Sequence, residues 1–144
     1  MKIISDMLGE IEIPDEDVIK FEDGLPGFED EKSFILVEDE DESFPFKWML
    51  SATNPYIGFV ITDPFKIFSD YEVELPETAV KKLKIDDASD VLIYTICVIP
   101  DKDAGNVTTN LQGPVVINTK LGLGKQVILD DPRYAVKHHI FKKE

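Results

Sequence analysis

Two adjacent histidines, one cysteine and 29 acidic side chains are the residues of this chain that could do chemistry. His138 and His139 would point to opposite faces of a strand and diverge by about 100° on a helix. Either way they are a poor pair of metal ligands, which must converge on one ion. Cys97 stands alone, so no internal disulfide can form. It lies in the apolar run 91–99 (VLIYTICVI), where a buried thiol stays protonated and inert. Residues 101–106 (DKDAGN) have the look of a calcium loop, but the twelfth position, where a bidentate Glu is needed, is Gln112. A plain turn is the expectation there. The chain has no GxSxG, GxxxxGK[ST] or GxGxxG pattern. Gly122-Leu123-Gly124 reads as a hairpin turn. Carboxylates are too numerous for any pair to stand out as an acid–base dyad. No catalytic residue, cofactor or metal ligand is assigned.

The charge balance narrows the class of partner. Asp plus Glu exceed Lys plus Arg by 14. Affinity for nucleic acid comes largely from cations neutralising phosphates, so direct binding to nucleic acid is not expected, nor is an anionic membrane. A basic protein would be steered toward such a surface. The first six residues hold no long apolar stretch, so a secretory signal is not expected. The longest apolar run, 91–99, is too short for a membrane-spanning helix. The expectation is a cytoplasmic protein.

The elements that must carry any site are short and mostly extended. In 9–14 Ile11 and Ile13 alternate with Glu10 and Glu12, the period of a half-buried strand. Further strands are expected at 18–21, 33–38, 46–51, 56–62, 91–99, 106–111, 115–118 and 125–129, with 91–99 central because it is apolar on both faces. Gly58 could mark a bulge. One main helix is expected around 76–84, with Pro76 at its first position, Glu77 near its positive end, Lys81, Lys82 and Lys84 near its negative end, and Val80 and Leu83 facing the core. A short turn or helix follows Asp63-Pro64. The acidic runs 38–42 and 86–87 read as solvated turns. This pattern gives a mainly β fold: a small antiparallel barrel-like or sandwich domain, 1–144, of about ten short strands and one main helix.

Residues 21–29 (FEDGLPGFE) place Gly24 and Gly27 around Leu25-Pro26, which fits a turn needing positive φ beside a rigid proline, with Phe28 folding back as a plug. Trp48 in 45–51 (PFKWMLS) is read as core, and Asn54-Pro55 as a turn start. In 108–118 (TTNLQGPVVIN), Asn110 and Asn118 are placed to satisfy backbone groups at strand ends. Together with Phe59, Asp63-Pro64, Tyr71, 126–129 (QVIL) and Tyr134, these landmarks run in order from about residue 21 to 134. They resemble the F-x-x-G-L-P-G-F and T-x-N-L-x-x-P-I-V-I-N patterns of the FliW family, with Gly113 and Val115 where the family pattern has Ala and Ile.

The resemblance implies a small barrel-like protein with no catalytic role and two alternative protein partners. One is CsrA, a basic RNA-binding translational repressor that such a protein antagonises, noncompetitively by the family pattern. The other is flagellin, so that flagellin translation is coupled to its export. Flagellin would offer an apolar helical terminus to a groove with aromatic anchors. The candidate anchors are Phe65, Phe68 and Tyr71. The candidate carboxylates for CsrA are Asp63, Asp70 and Glu72, with Asn54 and Pro114 as neighbours. Three other readings stay open: a carboxylate-dependent hydrolase with a deep pocket, a calcium- or sugar-binding β domain, and an acidic chaperone that binds flagellin but leaves CsrA–RNA complexes untouched.

Overall fold

The computed structural model of the protein describes residues 2–6, 8–38, 46–99 and 107–140. The possible calcium loop at 101–106 and most of the acidic run 38–42 lie outside them. Among the described residues the strands are β1 (Lys2–Ser5), β2 (Gly9–Glu12), β3 (Ile19–Lys20), β4 (Ser33–Glu38), β5 (Phe46–Ser51), β6 (Gly58–Thr62), β7 (Val91–Val98), β8 (Thr108–Thr109), β9 (Val115–Asn118), β10 (Leu123–Gln126) and β11 (His138–His139). The α-helices among the described residues are the short α1 (Pro64–Ile67) and α2 (Glu77–Lys82).

Seven strands close a barrel in the order β7-β6-β5-β4-β3-β10-β9, with β9 returning to β7. This decides for a barrel over a sandwich. All its pairs are antiparallel except β3–β10, a parallel joint of one register pair, Leu123 with Lys20. The barrel is antiparallel as expected, with this one joint as its exception. A backbone bond from Lys20 N–H to Gly122 C=O (2.8 Å) supports the joint. Gly124 also brings bare backbone against the Phe21 ring: a Cβ at Gly124 would lie 2.5 Å from it.

The period-two alternation sorts side chains between two sides of one wall. Phe34, Leu36, Met49, Ile61, Tyr94, Val115 and Ile117 fill the barrel, with Phe21 and Leu25. Their neighbours Ile35, Val37, Trp48 and Leu50 point outward, where the β1–β2 hairpin covers them with Ile3, Ile11 and Ile13. On the opposite wall Val116, Val91 and Ile93 face outward beneath Ala79 and Leu83 of α2 and its flank, Tyr71, Val127, Leu129 and Tyr134. Strand β7 is apolar on both sides for this reason, and it pairs with β6, β8 and β9.

Several boundaries differ from the sequence reading. β1 is additional; Lys2–Ser5 is only four residues long and carries a weak pattern. The expected strand at 125–129 begins at Leu123 and ends at Gln126. Val127 and Leu129 are buried and keep single backbone bonds to Pro114 and Gln112 after the ladder has ended. Of the expected strand 106–111, the described part, 107–111, is a strand at Thr108–Thr109 alone. Pro76 is the N-cap of α2 rather than its first residue, since its ψ of 147° is extended. Val80 is only half-buried, and Ala79 fills the core position beside Leu83. Gly58 pairs in regular register with Leu50, without a bulge. Phe28 is exposed, its edge against Phe59, while Leu25 is the residue that plugs the turn. Gly24 (φ 64°) and Gly27 (φ 85°) carry the positive φ that this turn requires.

An acidic-rimmed apolar groove beside β7

Thr62 ends β6, and Asp63 caps α1 by accepting a hydrogen bond from the Phe65 N–H (2.9 Å). Pro64 sits at the first helical position, where its missing N–H costs nothing. The short helix turns the chain out of the barrel wall and sets Phe65 on the surface at 42% exposure. The chain then runs to α2, which returns it to β7 through 83–90. Between these segments lies a groove of about 750 Å³. Its floor is Val73, Leu75, Val80, Ile85 and the first four residues of β7, Val91–Ile93 plus Tyr94; Phe65 and Leu92 project into it. Asp63, Glu74, Asp86 and Asp87 form its rim.

Two devices hold the walls. Tyr71 is buried; its hydroxyl donates to the Leu111 carbonyl (2.5 Å) and its ring meets Tyr134 at 4.7 Å and Phe65 at 5.5 Å. Burial pushes the Tyr71 phenol well above its ordinary value, with the charge of the neighbouring Tyr134 phenol adding to the shift. The Asn118 amide fixes α2: its Nδ2 donates to the carbonyls of Leu83 (2.8 Å) and Lys84 (3.2 Å), and its Oδ1 accepts from Lys120 and Leu121 N–H. Lys84, at φ 53°, turns the chain immediately after α2. On the outer side of α2, Lys82 and Lys125 both bind Asp23 (2.7 and 3.1 Å) and hold its carboxyl below the usual range, Lys82 contributing first.

A second, more polar cavity of about 500 Å³ adjoins the groove through Glu74 and Leu75. It is lined by Glu72, Pro76, Glu77, Ile128, Asp130, Asp131 and Arg133. Arg133 pairs with Asp131 (2.8 Å) and reaches Glu72 (3.7 Å), and it draws the Asp131 carboxyl below its ordinary range.

The structure separates the residues singled out from sequence. Asp63 and Phe65 line the groove. Glu72 lines the adjoining cavity, and Asp70 is exposed outside both. Phe68 is half-buried with its ring edge-on to His138 at 4.2 Å. Tyr71 forms part of the wall, and Pro114 is buried at the start of β9. Asn54 lies at the other end of β6, where its Oδ1 accepts from Tyr56 N–H and its amide reaches Glu31. Sequence reasoning took in Glu74 only as the end of the 63–74 stretch and missed the place of Val80, Ile85, Leu92 and the pair Asp86-Asp87 in the groove. The useful signal was Leu92, an apolar residue at the first turn-flanked end of a strand apolar on both faces.

The groove lining contains no Ser, Cys, His or Lys side chain. Cys97 is buried in β7, its thiol pushed up to about 11 by burial. Among the described residues no three His, Cys, Asp or Glu side chains gather as metal ligands, and no helix is long and apolar enough to cross a membrane.

The model of the FliW protein family matches residues 2–140. The chain belongs to the FliW family. A flagellar assembly factor FliW of Alkaliphilus metalliredigens is 43% identical over 135 residues, covering 94% of this chain and 83% of its own. One from Geobacillus kaustophilus is 42% identical over 144 residues, covering 100% of this chain and 98% of its own. The crystal structure of a flagellar assembly factor FliW superposes with a TM-score of 0.91 at 39% identity, covering 100% of this chain and 99% of that one. The closed barrel described above is thus shared with a FliW, and the groove can be discussed as a feature of a FliW-family protein.

Proposed function

We propose that this protein acts in flagellar assembly as a cytoplasmic partner switch that binds CsrA and flagellin in alternation and makes or breaks no bond itself. The observation that carries this reading is the groove beside β7: an apolar floor with two projecting side chains, Phe65 and Leu92, inside a rim of Asp63, Glu74, Asp86 and Asp87. An apolar floor suits an anchor from a protein partner. A flagellin segment is assigned to this groove. CsrA, being basic, is assigned to the carboxylates around the adjoining cavity, with Glu72 and Asp131 beside Arg133. The two sites meet at Glu74 and Leu75, which gives the two partners a shared border across which to exclude one another. Coupling of about 1–3 kcal/mol there changes affinity roughly 5- to 150-fold.

The test is binding of the purified protein to CsrA and to flagellin, separately and together. Each partner is expected to bind alone and to displace the other. Simultaneous binding with unchanged affinities would overturn the switch, and no binding to either would overturn the whole reading. A titration with CsrA's RNA tests the mode of antagonism. Noncompetitive antagonism keeps inhibition at saturating RNA, and full reversal by RNA would overturn it.

A further inference from the structure

We propose that the groove takes its occupant as an added β-strand: an extended peptide, apolar in its middle and flanked by Lys or Arg, that pairs with the open edge of β7 at Val91 and Ile93. The proposal builds on the reading of this groove as a peptide site and adds how the main chain is held.

One edge of β7 is filled by β9 along Val91, Leu92, Ile93 and Tyr94 and by β8 at Cys97 and Val98. The other edge is paired only at Thr95, Ile96 and Cys97, by β6. The direction of each backbone group follows from two bonds. Thr119 N–H donates to the Asp90 carbonyl (2.8 Å) and Asn110 N–H to the Ile96 carbonyl (3.0 Å), so even-numbered residues of β7 point to the β8–β9 side. An antiparallel ladder alternates, and Val91, Ile93 and Thr95 therefore point to the β6 side. Thr95 meets Thr62 there. Continued past the end of β6, that register would set Pro64 opposite Ile93, and Pro64 has no N–H and opens α1. The ladder stops, and no strand among the described residues pairs with the remaining edge. Val91 N–H turns back to the Ala88 carbonyl. The Val91 carbonyl and both backbone groups of Ile93 face the groove.

The lining agrees with an edge rather than a face. Val91 and Ile93 belong to the cluster outside the barrel and Tyr94 to the cluster inside it, with Leu92 on the same side as Tyr94. All four line the groove. A cavity that touches both faces of one strand runs along its side. Four residues of strand span roughly 13 Å, enough for a peptide of similar length. Exposed strand edges are templates for pairing, and strand addition is a common mode of peptide capture. The rim selects the peptide's charge. Among the described residues none of Asp63, Glu74, Asp86 and Asp87 has a Lys or Arg ion-pair partner. Their negative charge is left for a cationic ligand.

The test uses the whole protein, isotopically labelled, and a synthetic peptide Lys-Lys-Val-Thr-Val-Thr-Val-Lys-Lys with each backbone amide methylated in turn. Methylation of the two amides, two residues apart, that face the Val91 and Ile93 carbonyls should weaken binding at least tenfold, and methylation of the amide between them should not. The Ile93 amide should exchange at least tenfold more slowly in the complex. A Glu-flanked peptide should fail to bind, and the Asp86→Lys, Asp87→Lys variant should weaken the Lys-flanked one. A bound peptide that is helical, uniform sensitivity to methylation, an unprotected Ile93 amide or absence of binding would each overturn strand addition. Flagellin is measured in parallel on the same sample. If it binds with Ile93 unprotected, strand addition fails and the switch reading stands. If it does not bind while the peptide does, the flagellin assignment fails and strand addition stands.

Discussion

Phe65→Ala gives the sharpest test of the groove. A phenylalanine side chain can bury about 200 Å², and Phe65 is 42% exposed, so roughly 80 Å² remains for a partner to cover. At about 25 cal/mol per Å² this is about 2 kcal/mol, or roughly 30-fold in affinity at 1.4 kcal/mol per decade. The buried remainder rests against Tyr71 at 5.5 Å; losing that ring pair costs about 0.5–1.5 kcal/mol of folding stability beyond burial. Thermal unfolding followed by circular dichroism shows how far below the midpoint to work. Titration calorimetry against flagellin then reads the binding term, with CsrA as the second ligand. The expected result is a flagellin affinity reduced by about 30-fold with CsrA affinity altered less than threefold. A folded Phe65→Ala protein with unchanged flagellin affinity would remove this groove from the flagellin site.

Four further outcomes follow from the geometry. Tyr71→Phe leaves the buried Leu111 carbonyl without its donor, at a cost of about 1–3 kcal/mol; a melting temperature unchanged within one degree would refute that role. Gly24→Ala meets backbone at 2.6 Å as well as a positive φ, whereas Gly9→Ala meets nothing within 4 Å. Gly24→Ala should therefore lose clearly more than the roughly 1–2 kcal/mol handedness penalty expected at Gly9, and equal losses in denaturant titrations would contradict this. Cys97, with its thiol raised to about 11, should resist alkylation at pH 8 in the folded protein and react on unfolding, as mass spectrometry would show. The Asp23 carboxyl is depressed by Lys82 and Lys125, so its contribution is present above the unfolded value of about 3.9 and is lost as pH falls through the lower folded value. Because the side chain is 47% exposed, the difference between wild type and Asp23→Asn should be under about 1 kcal/mol at pH 7 and vanish in acid.

The parts of the fold legible from sequence were those where local pattern and tertiary role agree. The runs Ser33–Glu38, Phe46–Ser51 and Val115–Asn118 are bounded by turn formers and form strands at those limits. Asn110 accepts from Gln112 and Gly113 N–H as its place at a strand end implies. Elements defined by a distant partner were not legible. His138–His139 is a strand only because Thr108–Thr109 lies opposite, and Val127 and Leu129 alternate like strand residues after the ladder has ended. The groove was half legible. Asp63 stands out in sequence as a carboxylate at a strand end and Phe65 as one of three aromatics, with Phe68 and Tyr71, in an acidic stretch. Asp86 and Asp87 read as solvent-facing turn residues, since nothing local places them above Leu92. The open edge of β7 depends on where Pro64 falls in a register that no single segment encodes.

The one-residue parallel joint between β3 and β10 has a mechanical consequence. Elsewhere the wall is knitted by ladders of two to five rungs; here the hoop is fastened by a benzene ring pressed on naked peptide, Phe21 on Gly124. Any methyl group on that glycine would act as a wedge, prying the hoop at its weakest stave. Breathing of the shell should begin at this clasp, so Lys20 and Leu123 amides should trade their protons for solvent deuterium sooner than those of β5.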